Sequence, residues 1–511
     1  MASLTISSSR NVVPNWKDYR TTAELGELNG NNALAFNLPV FPIDEYIIAW
    51  RENMSIPFAG DLISAAIMGG QRNNPMVQDA AEFVVERGDE VPDSLYKTAL
   101  SIIQPNGLTR KGSTISVSER LNTILNQENI NKERISFLRK LIHRFPYNPI
   151  WYNEMALAYT KMGLTKKAVE NMEIAIHLAP VSRYISRSAA RLFLHIGELD
   201  RAHEVLINNP SITKDPWIVA SEIGVNSLRG RSSRFIKQGI SMINSENYSP
   251  FSLTELASAI GSLEFKHSRK KCKVYIDKAL IRPNDNSLSQ AEWLLSLDES
   301  IGFSFSDYSL LKDKYEADAR RAFLSNDYSQ ALTTSVKWIE EMPFAKTPID
   351  FAANMAFTFQ KQYDDAIRIL RIGLKSNPHE LSFWNNLAYS YAMSGSVEEA
   401  DKILYSSILN TTTVGGDIKI CVMATKGLSE FRKGNIEGGR YYYMEAMSLA
   451  KNNGENLLLH KAILNYIREE LLATKQCEEE LLNMIDSLHT GSDRETAIMR
   501  QDIRELLKRK E

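Results

Sequence analysis

Cysteine is scarce in this sequence. Its 511 residues include three cysteines, Cys272, Cys421 and Cys477. They lie far apart and form neither a CxxC nor a CxxxH pattern, so neither a disulfide framework nor a zinc site is predicted. We therefore expect a protein of a reducing compartment, the cytoplasm, without a metal or other cofactor.

Long apolar runs and an excess of one charge are also missing. The first residues, MASLTISSSRNVVPNW, contain no apolar core of signal-peptide length. No later stretch approaches the roughly 18 consecutive apolar residues that a membrane span requires. The 62 acidic residues nearly balance the 60 basic ones, which leaves a formal net charge of -2. Overall charge therefore indicates neither nucleic acid nor a membrane as partner, and we expect a soluble cytoplasmic protein.

The usual catalytic motifs are absent as well. The sequence has no P-loop, no GxGxxG after a predicted strand, no HExxH and no GxSxG. Its eight histidines are scattered, and the spacing of His195 and His203 does not suit two ligands on one helical face. We predict no catalytic and no metal-binding residue, and hence no enzyme. An enzyme with an unrecognised site in residues 1–110 is the alternative.

What the sequence does contain is an internal repeat. From Pro149 it reads PIWYNEMALAYTKMGLTKKAVENMEIAIHLAP, with apolar residues at helical spacing. Ala168 and Ala202 lie 34 residues apart, and so do Gly163 and Gly197. A fixed period of this length predicts a repeat array that grows by addition of similar units.

The same register returns in the second half, in the segment LSFWNNLAYSYAMSGSVEEADKILYSSIL. Ala366 precedes Ala400 by 34 residues, and Ala331 precedes Ala366 by 35. Both halves resemble the tetratricopeptide repeat, whose first helix carries an aromatic residue, a small pair and a tyrosine, and whose second helix carries alanines and a closing proline. The resemblance implies stacked antiparallel helix pairs, because one pair cannot cover its own apolar face.

We therefore predict an all-α fold, an α-solenoid of tetratricopeptide-like antiparallel helix pairs with irregular helical N- and C-terminal caps. The predicted divisions are an irregular N-terminal domain at 1–110, one array at 115–300 (clearest at 149–214), a second array at 312–453 (clearest at 347–414) and a C-terminal helical cap at 454–511. Helical spacing also predicts that four aromatic residues belong to the core. These residues are Tyr152, Tyr159, Trp384 and Tyr391.

Basic residues on one predicted first helix are the leading candidates for partner binding. Arg187 and Arg191 lie four residues apart, so their side chains share one helical face. First helices line the concave groove of tetratricopeptide arrays, so the resemblance implies that both arginines point into it as exposed charges. Asn153, Arg320 and Asn385, on other first helices, complete the candidate partner-binding residues. Such a stripe suits an acidic peptide or a phosphate backbone, and an ordinary solvated face is the alternative.

Together these features predict a non-enzymatic scaffold or adaptor that binds a partner protein through the concave face of the solenoid, in a hetero-complex. This step depends on analogy with other repeat proteins. Two alternatives stay open. One is a sensor or regulatory subunit of a bacterial antiviral complex that accompanies a nuclease or another effector. The other is a nucleic-acid-binding repeat protein.

Overall fold

The computed structural model describes most of the chain. The described residues are 10–17, 43–68, 71–91, 93–103, 116–303, 308, 311, 314–409, 415–474, 485 and 493–508. Within these ranges every regular element is a helix and no β-strand occurs. The all-α prediction is therefore confirmed, whereas the predicted boundary between 110 and 115 lies outside the described residues. No helix in the described ranges is both long enough and apolar enough to cross a membrane.

The chain divides into two compact units, Ser9–Ala345 and Lys346–Glu511. The division falls inside the array predicted at 312–453. The helices of the first unit are α1 (Ile43–Glu52), α2 (Ile56–Met68), α3 (Pro75–Glu86), α4 (Asp93–Ile103), α5 (Val117–Leu125), α6 (Glu128–Arg144), α7 (Pro149–Lys161), α8 (Thr165–Leu178), α9 (Arg183–His195), α10 (Leu199–Ile207), α11 (Pro216–Leu228), α12 (Ile236–Asn244), α13 (Pro250–Glu264), α14 (Arg269–Ala279), α15 (Asp285–Leu297), α16 (Tyr315–Leu324) and α17 (Tyr328–Glu341).

The second unit begins with α18 (Lys346–Asn354), which continues directly into a π-helical turn at Met355–Phe359. Its other helices are α19 (Tyr363–Ser376), α20 (Leu381–Met393), α21 (Val397–Leu404), α22 (Gly416–Arg432), α23 (Ile436–Asn452), α24 (Asn456–Thr474) and α25 (Arg494–Lys508). From α7 to α14, and again from α16 to α23, consecutive helices form the first and second members of tetratricopeptide-like pairs, whereas α15 is followed directly by another first helix. The last helix packs on α24, with Ile503 buried among apolar residues of that helix.

A residue in the left-handed backbone conformation joins the two helices of a pair. Gly163, Gly197 and Gly395 have φ angles of 70°, 82° and 88°. Glycine adopts this conformation without a Cβ penalty, which explains its recurrence at the period of the repeat. The same turn is made by Asn326 (φ 61°) and Lys361 (φ 56°), so the geometry persists where glycine does not.

Small residues hold the pairs together. Ala168, Ala202, Ala331, Ala366 and Ala400 are all fully buried. An alanine at this position lets the second helix approach its neighbours closely, because no larger side chain separates the backbones. The alanine period of the sequence thus marks the true packing register.

The predicted aromatic core needs a correction. Tyr159 is buried as predicted, but Tyr152, Trp384 and Tyr391 are partly exposed. The fully buried ring of the second-unit repeat belongs to Phe383. The indole Nε1 of Trp384 donates to the carbonyl oxygen of Pro378 at 2.8 Å, which keeps the polar edge of the ring at the rim of the core. Trp151 takes the corresponding buried place beside Tyr152.

Candidate functional site

A short non-helical segment, residues 10–17, lies against the helices of the first unit. Val12, Pro14 and Trp16 are buried, whereas the residues between them are partly exposed. Burial with a period of two is typical of an extended chain that presents one side to a surface. We call residues 10–17 the bound segment. The residues that hold it form the groove, namely Tyr184 of α9, Gly224 of α11, Asn286 and Gln290 of α15, and Glu316 of α16.

Groove side chains hold the main chain of the bound segment. The Asn286 amide nitrogen donates to the carbonyl oxygen of Val13 at 2.9 Å. The Gln290 amide nitrogen donates to the carbonyl oxygen of Arg10 at 3.3 Å. The Tyr184 hydroxyl donates to the carbonyl oxygen of Lys17 at 3.3 Å. These contacts reach main-chain atoms, so they do not depend on which side chains the bound segment carries.

The guanidinium of Arg10 forms the most extensive side-chain contact. Its Nε and Nη2 donate to the two carboxylate oxygens of Glu316 at 2.9 and 2.8 Å. Nη1 donates to the side-chain oxygen of Gln290 at 2.7 Å, and Nη2 also donates to that of Asn286 at 2.9 Å. A bidentate carboxylate with two flanking amide oxygens matches the planar fork of arginine. The two amide side chains therefore bind the segment twice, through their oxygen to Arg10 and through their nitrogen to the main chain.

The carboxylates near Arg10 have opposite pKa shifts. Burial alone would raise the pKa of Glu316, but the guanidinium groups of Arg10 and Arg320 lower it to about 2. Burial, with the nearby charge of Glu316, raises the pKa of Asp285 to about 6. Asp285 accepts the backbone N–H of Ala317 at 3.0 Å and so supports the start of α16. Glu316 therefore faces Arg10 as an ionised carboxylate.

The other end of the bound segment is anchored by an aromatic ring. Trp16 is fully buried, and its ring meets that of Phe344 edge-on with centroids 5.6 Å apart. The centroid of the His195 ring lies 5.3 Å from that of the Phe344 ring, also edge-on. Lys17 forms an ion pair with Glu341. An apolar anchor and a second positive charge therefore fix this end.

Gly224 gives the segment room to pass. A Cβ placed on this residue would lie 2.0 Å from the carbonyl oxygen of Val12 and 2.9 Å from its carbonyl carbon. No side chain fits there, so α11 and the segment approach each other backbone to backbone.

The predicted exposure of Arg187 is wrong. The residue is 3% exposed, and its Nη2 lies 2.8 Å from a carboxylate oxygen of Glu255. Its guanidinium also lies 4.7 Å from the centroid of the Trp217 ring. The stacking of the helix pairs places Glu255 of α13 next to Arg187 of α9. The positive charge of Arg187 is therefore neutralised inside the protein and is not exposed to solvent.

Three other predicted residues adjoin the groove. The Asn153 amide nitrogen donates to the Tyr184 hydroxyl at 3.2 Å. Arg320 donates through Nε to Glu316 at 2.9 Å. Burial lowers the pKa of Arg191 to about 10, with the charge of Glu316 acting in the opposite direction, so Arg191 stays charged at neutral pH. These residues support groove residues, and a direct role in partner binding stays a prediction.

Asn385 belongs to the second unit and is fully buried. The hydroxyl of Thr425 donates to its side-chain oxygen at 3.0 Å. The same unit contains a buried cluster in which Lys461 pairs with Glu495 and the Asn354 amide donates to Glu495 at 2.6 Å. A cavity of ≈ 40 Å³ adjoins this cluster, which is room for a few water molecules.

Sequence reasoning missed the bound segment and its main contacts. The alternation of Val12, Pro14 and Trp16 was the available signal for an extended segment. Asn286 and Gln290 lie four residues apart on one face of a first helix, which was a signal for a polar inner face. Nothing local connects the two signals, because they lie about 280 residues apart along the chain.

A comparison with known protein families supports the helix pairs of the second unit. Residues 356–409 match the tetratricopeptide repeat family. The resemblance seen in the sequence is therefore confirmed for this stretch, which lies in the second unit.

Two solved structures are similar at low sequence identity. The crystal structure of yeast Tom70 is 15% identical, with 77% of this chain and 97% of that chain covered and a TM-score of 0.31. The structure of the human IFIT1 dimer with PPP-AAAA is 13% identical, with 81% and 95% covered and a TM-score of 0.29. No curated protein matches the sequence.

Proposed function

We propose that this tetratricopeptide-like array is a non-enzymatic scaffold that binds an extended segment of a partner protein in the groove. The observation that carries the proposal is the set of main-chain contacts made by Tyr184, Asn286 and Gln290. Side chains that bind the main chain of an extended segment provide affinity for many sequences, and pockets for alternate side chains add specificity. The groove of the first unit has both features.

The charges of the groove favour a protein partner over nucleic acid. Of the two arginines that suggested phosphate binding, Arg187 is paired with Glu255, and Arg191 lies near the negative charge of Glu316. A phosphate chain in the groove would meet Glu316 and Asp285 at short range, and like charges repel strongly where water is excluded. The same reasoning favours a basic partner segment over the acidic one that the arginine stripe predicted. A cytoplasmic location and membership of a bacterial antiviral complex stay predictions.

Site-specific photo-crosslinking in the native cell tests the proposal. A photo-reactive azidophenylalanine in place of Tyr184 retains the aromatic ring beside the groove. Tyr147 is 83% exposed and gives a matched control position. We expect a partner protein to be crosslinked from position 184 and not from position 147. Crosslinks confined to residues 10–17 of the same chain, or partner crosslinks from position 147 alone, would contradict the scaffold function.

A further inference from the structure

We infer that the groove selects an extended segment with an arginine and, six residues later, a bulky aromatic residue, and that residues 10–17 are a built-in competitor for such a segment. This inference rests on the proposed function and names the chemistry of the partner segment. It combines three observations on the first unit, namely the site that receives Arg10, the site that receives Trp16, and the path between them.

The first site selects arginine. Glu316, Gln290 and Asn286 place four acceptor oxygens around one guanidinium, at 2.7–2.9 Å. Lysine has a compact ammonium group and cannot reproduce the bidentate pair together with both amide contacts. An ionised acidic side chain would bring a second carboxylate to Glu316 and could donate a hydrogen bond to none of these four oxygens.

The second site selects a large ring. Trp16 is fully buried against Phe344, so a small side chain would leave unfilled space there. Between the two sites, the missing Cβ of Gly224 leaves a passage for backbone alone. The occupant must therefore pass α11 with its main chain alone, which the bound segment does in a γ-turn at Val12, closed by the Val13 N–H and the Asn11 carbonyl oxygen.

The bound segment has the properties of a ligand that belongs to the same chain as its binding site. Groove side chains contact it from α9, α15 and α16, the backbone of α11 approaches it at Gly224, and Glu341 of α17 pairs with Lys17. Its hydrogen bond from the Val13 N–H to the Asn11 carbonyl oxygen, at 2.9 Å, is internal. The bound segment is covalently part of the chain that forms the groove. A tethered ligand competes at an effective concentration in roughly the millimolar range, so a partner segment must bind more tightly or be presented at high local concentration.

Hydrogen exchange on the unaltered full-length chain gives the first test. A competitor leaves the groove by local opening, while the array stays folded. The amides of residues 10–17 should therefore exchange faster than those of α9, α11 and α15. The exchange rate of residues 10–17 should also depend little on denaturant concentration. Exchange of all these amides together, only through global unfolding, would show that the segment is a permanent part of the core and would overturn the inference.

Peptide binding gives the second test. The probe is a fluorescent peptide of sequence RNVVPNWK, and the readout is its anisotropy with full-length protein. The Arg10→Ala/Trp16→Ala chain should bind the probe about tenfold or more tightly than the parent, because the tethered competitor is weakened. Arg72→Ala, at an exposed position, should behave like the parent. Adding Glu316→Gln to the double variant, or using the probe ENVVPNWK, should abolish the gain.

Each contrary outcome has a distinct meaning. If the double variant keeps its helical circular dichroism and binds no probe, the recognition pattern is wrong, while partner crosslinks from position 184 still decide the proposed function separately. Equal binding by parent and double variant would refute the competition. Should the double variant fail to fold, the hydrogen-exchange comparison on the unaltered chain decides the matter. A concentration-dependent dimer of the parent, with segments exchanged between copies, would also contradict occupancy by the chain's own segment.

Discussion

The substitution Gly224→Ala isolates the passage of the bound segment through the groove. The three atoms nearest to an added Cβ are the carbonyl oxygen and carbon of Val12 and the nitrogen of Val13, all in the bound segment. Backbone atoms cannot rotate away as a side chain would. Because non-bonded contacts of a Cβ with oxygen need about 3 Å or more, the segment must move by roughly 1 Å from its 2.0 Å position.

A shift of this size breaks specific hydrogen bonds. The contact from Asn286 to the Val13 carbonyl oxygen, now 2.9 Å, would exceed hydrogen-bonding distance, and that from Gln290 to the Arg10 carbonyl oxygen starts at 3.3 Å. Loss of two such bonds costs about 1 to 3 kcal/mol. Alanine also stabilises the interior of α11 by about 1 kcal/mol relative to glycine, so the helix itself should not unfold.

Hydrogen exchange measured by mass spectrometry separates these two effects. We expect protection of residues 10–17 to fall by roughly 5- to 100-fold in Gly224→Ala, while α11 keeps its protection. Gly239→Ala is the matched control, because the atoms nearest to its Cβ belong to side chains of Leu256, Ile260 and Val219. Unchanged protection of residues 10–17 in Gly224→Ala would refute the close approach of the bound segment to the backbone of α11.

Three further predictions concern stability, each measured by chemical denaturation. Phe383→Ala should lower the free energy of unfolding of its repeat by about 3 to 5 kcal/mol, because Phe383 is fully buried. Trp384→Ala should lower it by clearly less, because Trp384 is partly exposed. Equal losses would contradict the assignment of Phe383, rather than Trp384, to the core. Arg187→Ala should cost about 3 to 5 kcal/mol because it leaves the buried carboxylate of Glu255 without its guanidinium partner, and an unchanged midpoint would show that the pair is dispensable. The pKa of Glu316 lies at about 2, below its ordinary 4.5, so its stabilising effect is complete above pH 4.5 and is lost as the pH falls toward 2. Glu316→Gln should therefore flatten the acid limb of the stability curve, and a parallel limb in both proteins would assign acid sensitivity to other groups.

The sequence by itself determined the helix pairs. Local periodicity decides whether a stretch is helical, and a turn residue with alanine at a fixed period decides how each helix meets the next one. Ala168 and Ala202 carried that information, and both are fully buried. These interactions join neighbours along the chain, so a single sequence contains both partners within one period.

Which side of a helix becomes the inner core was decided only by the tertiary structure. Phe383 and Trp384 are adjacent, about 100° apart around the helix axis, and both lie near the edge of its apolar face. Spacing cannot rank two such residues. Packing against the neighbouring pair buried Phe383 and left the polar edge of Trp384 at the rim.

The candidate site depended still more on tertiary structure. Arg187 pairs with Glu255 across 68 residues, and Arg10 pairs with Glu316 across 306. The sequence of a basic stripe does not show whether its side chains face solvent or a carboxylate from a distant helix. The repeat period describes only neighbouring pairs, so it contains no information about these long-range contacts. The stacking of the array and the path of residues 10–17 across it brought the charges together, because burial makes an unpaired charge costly and a paired one acceptable.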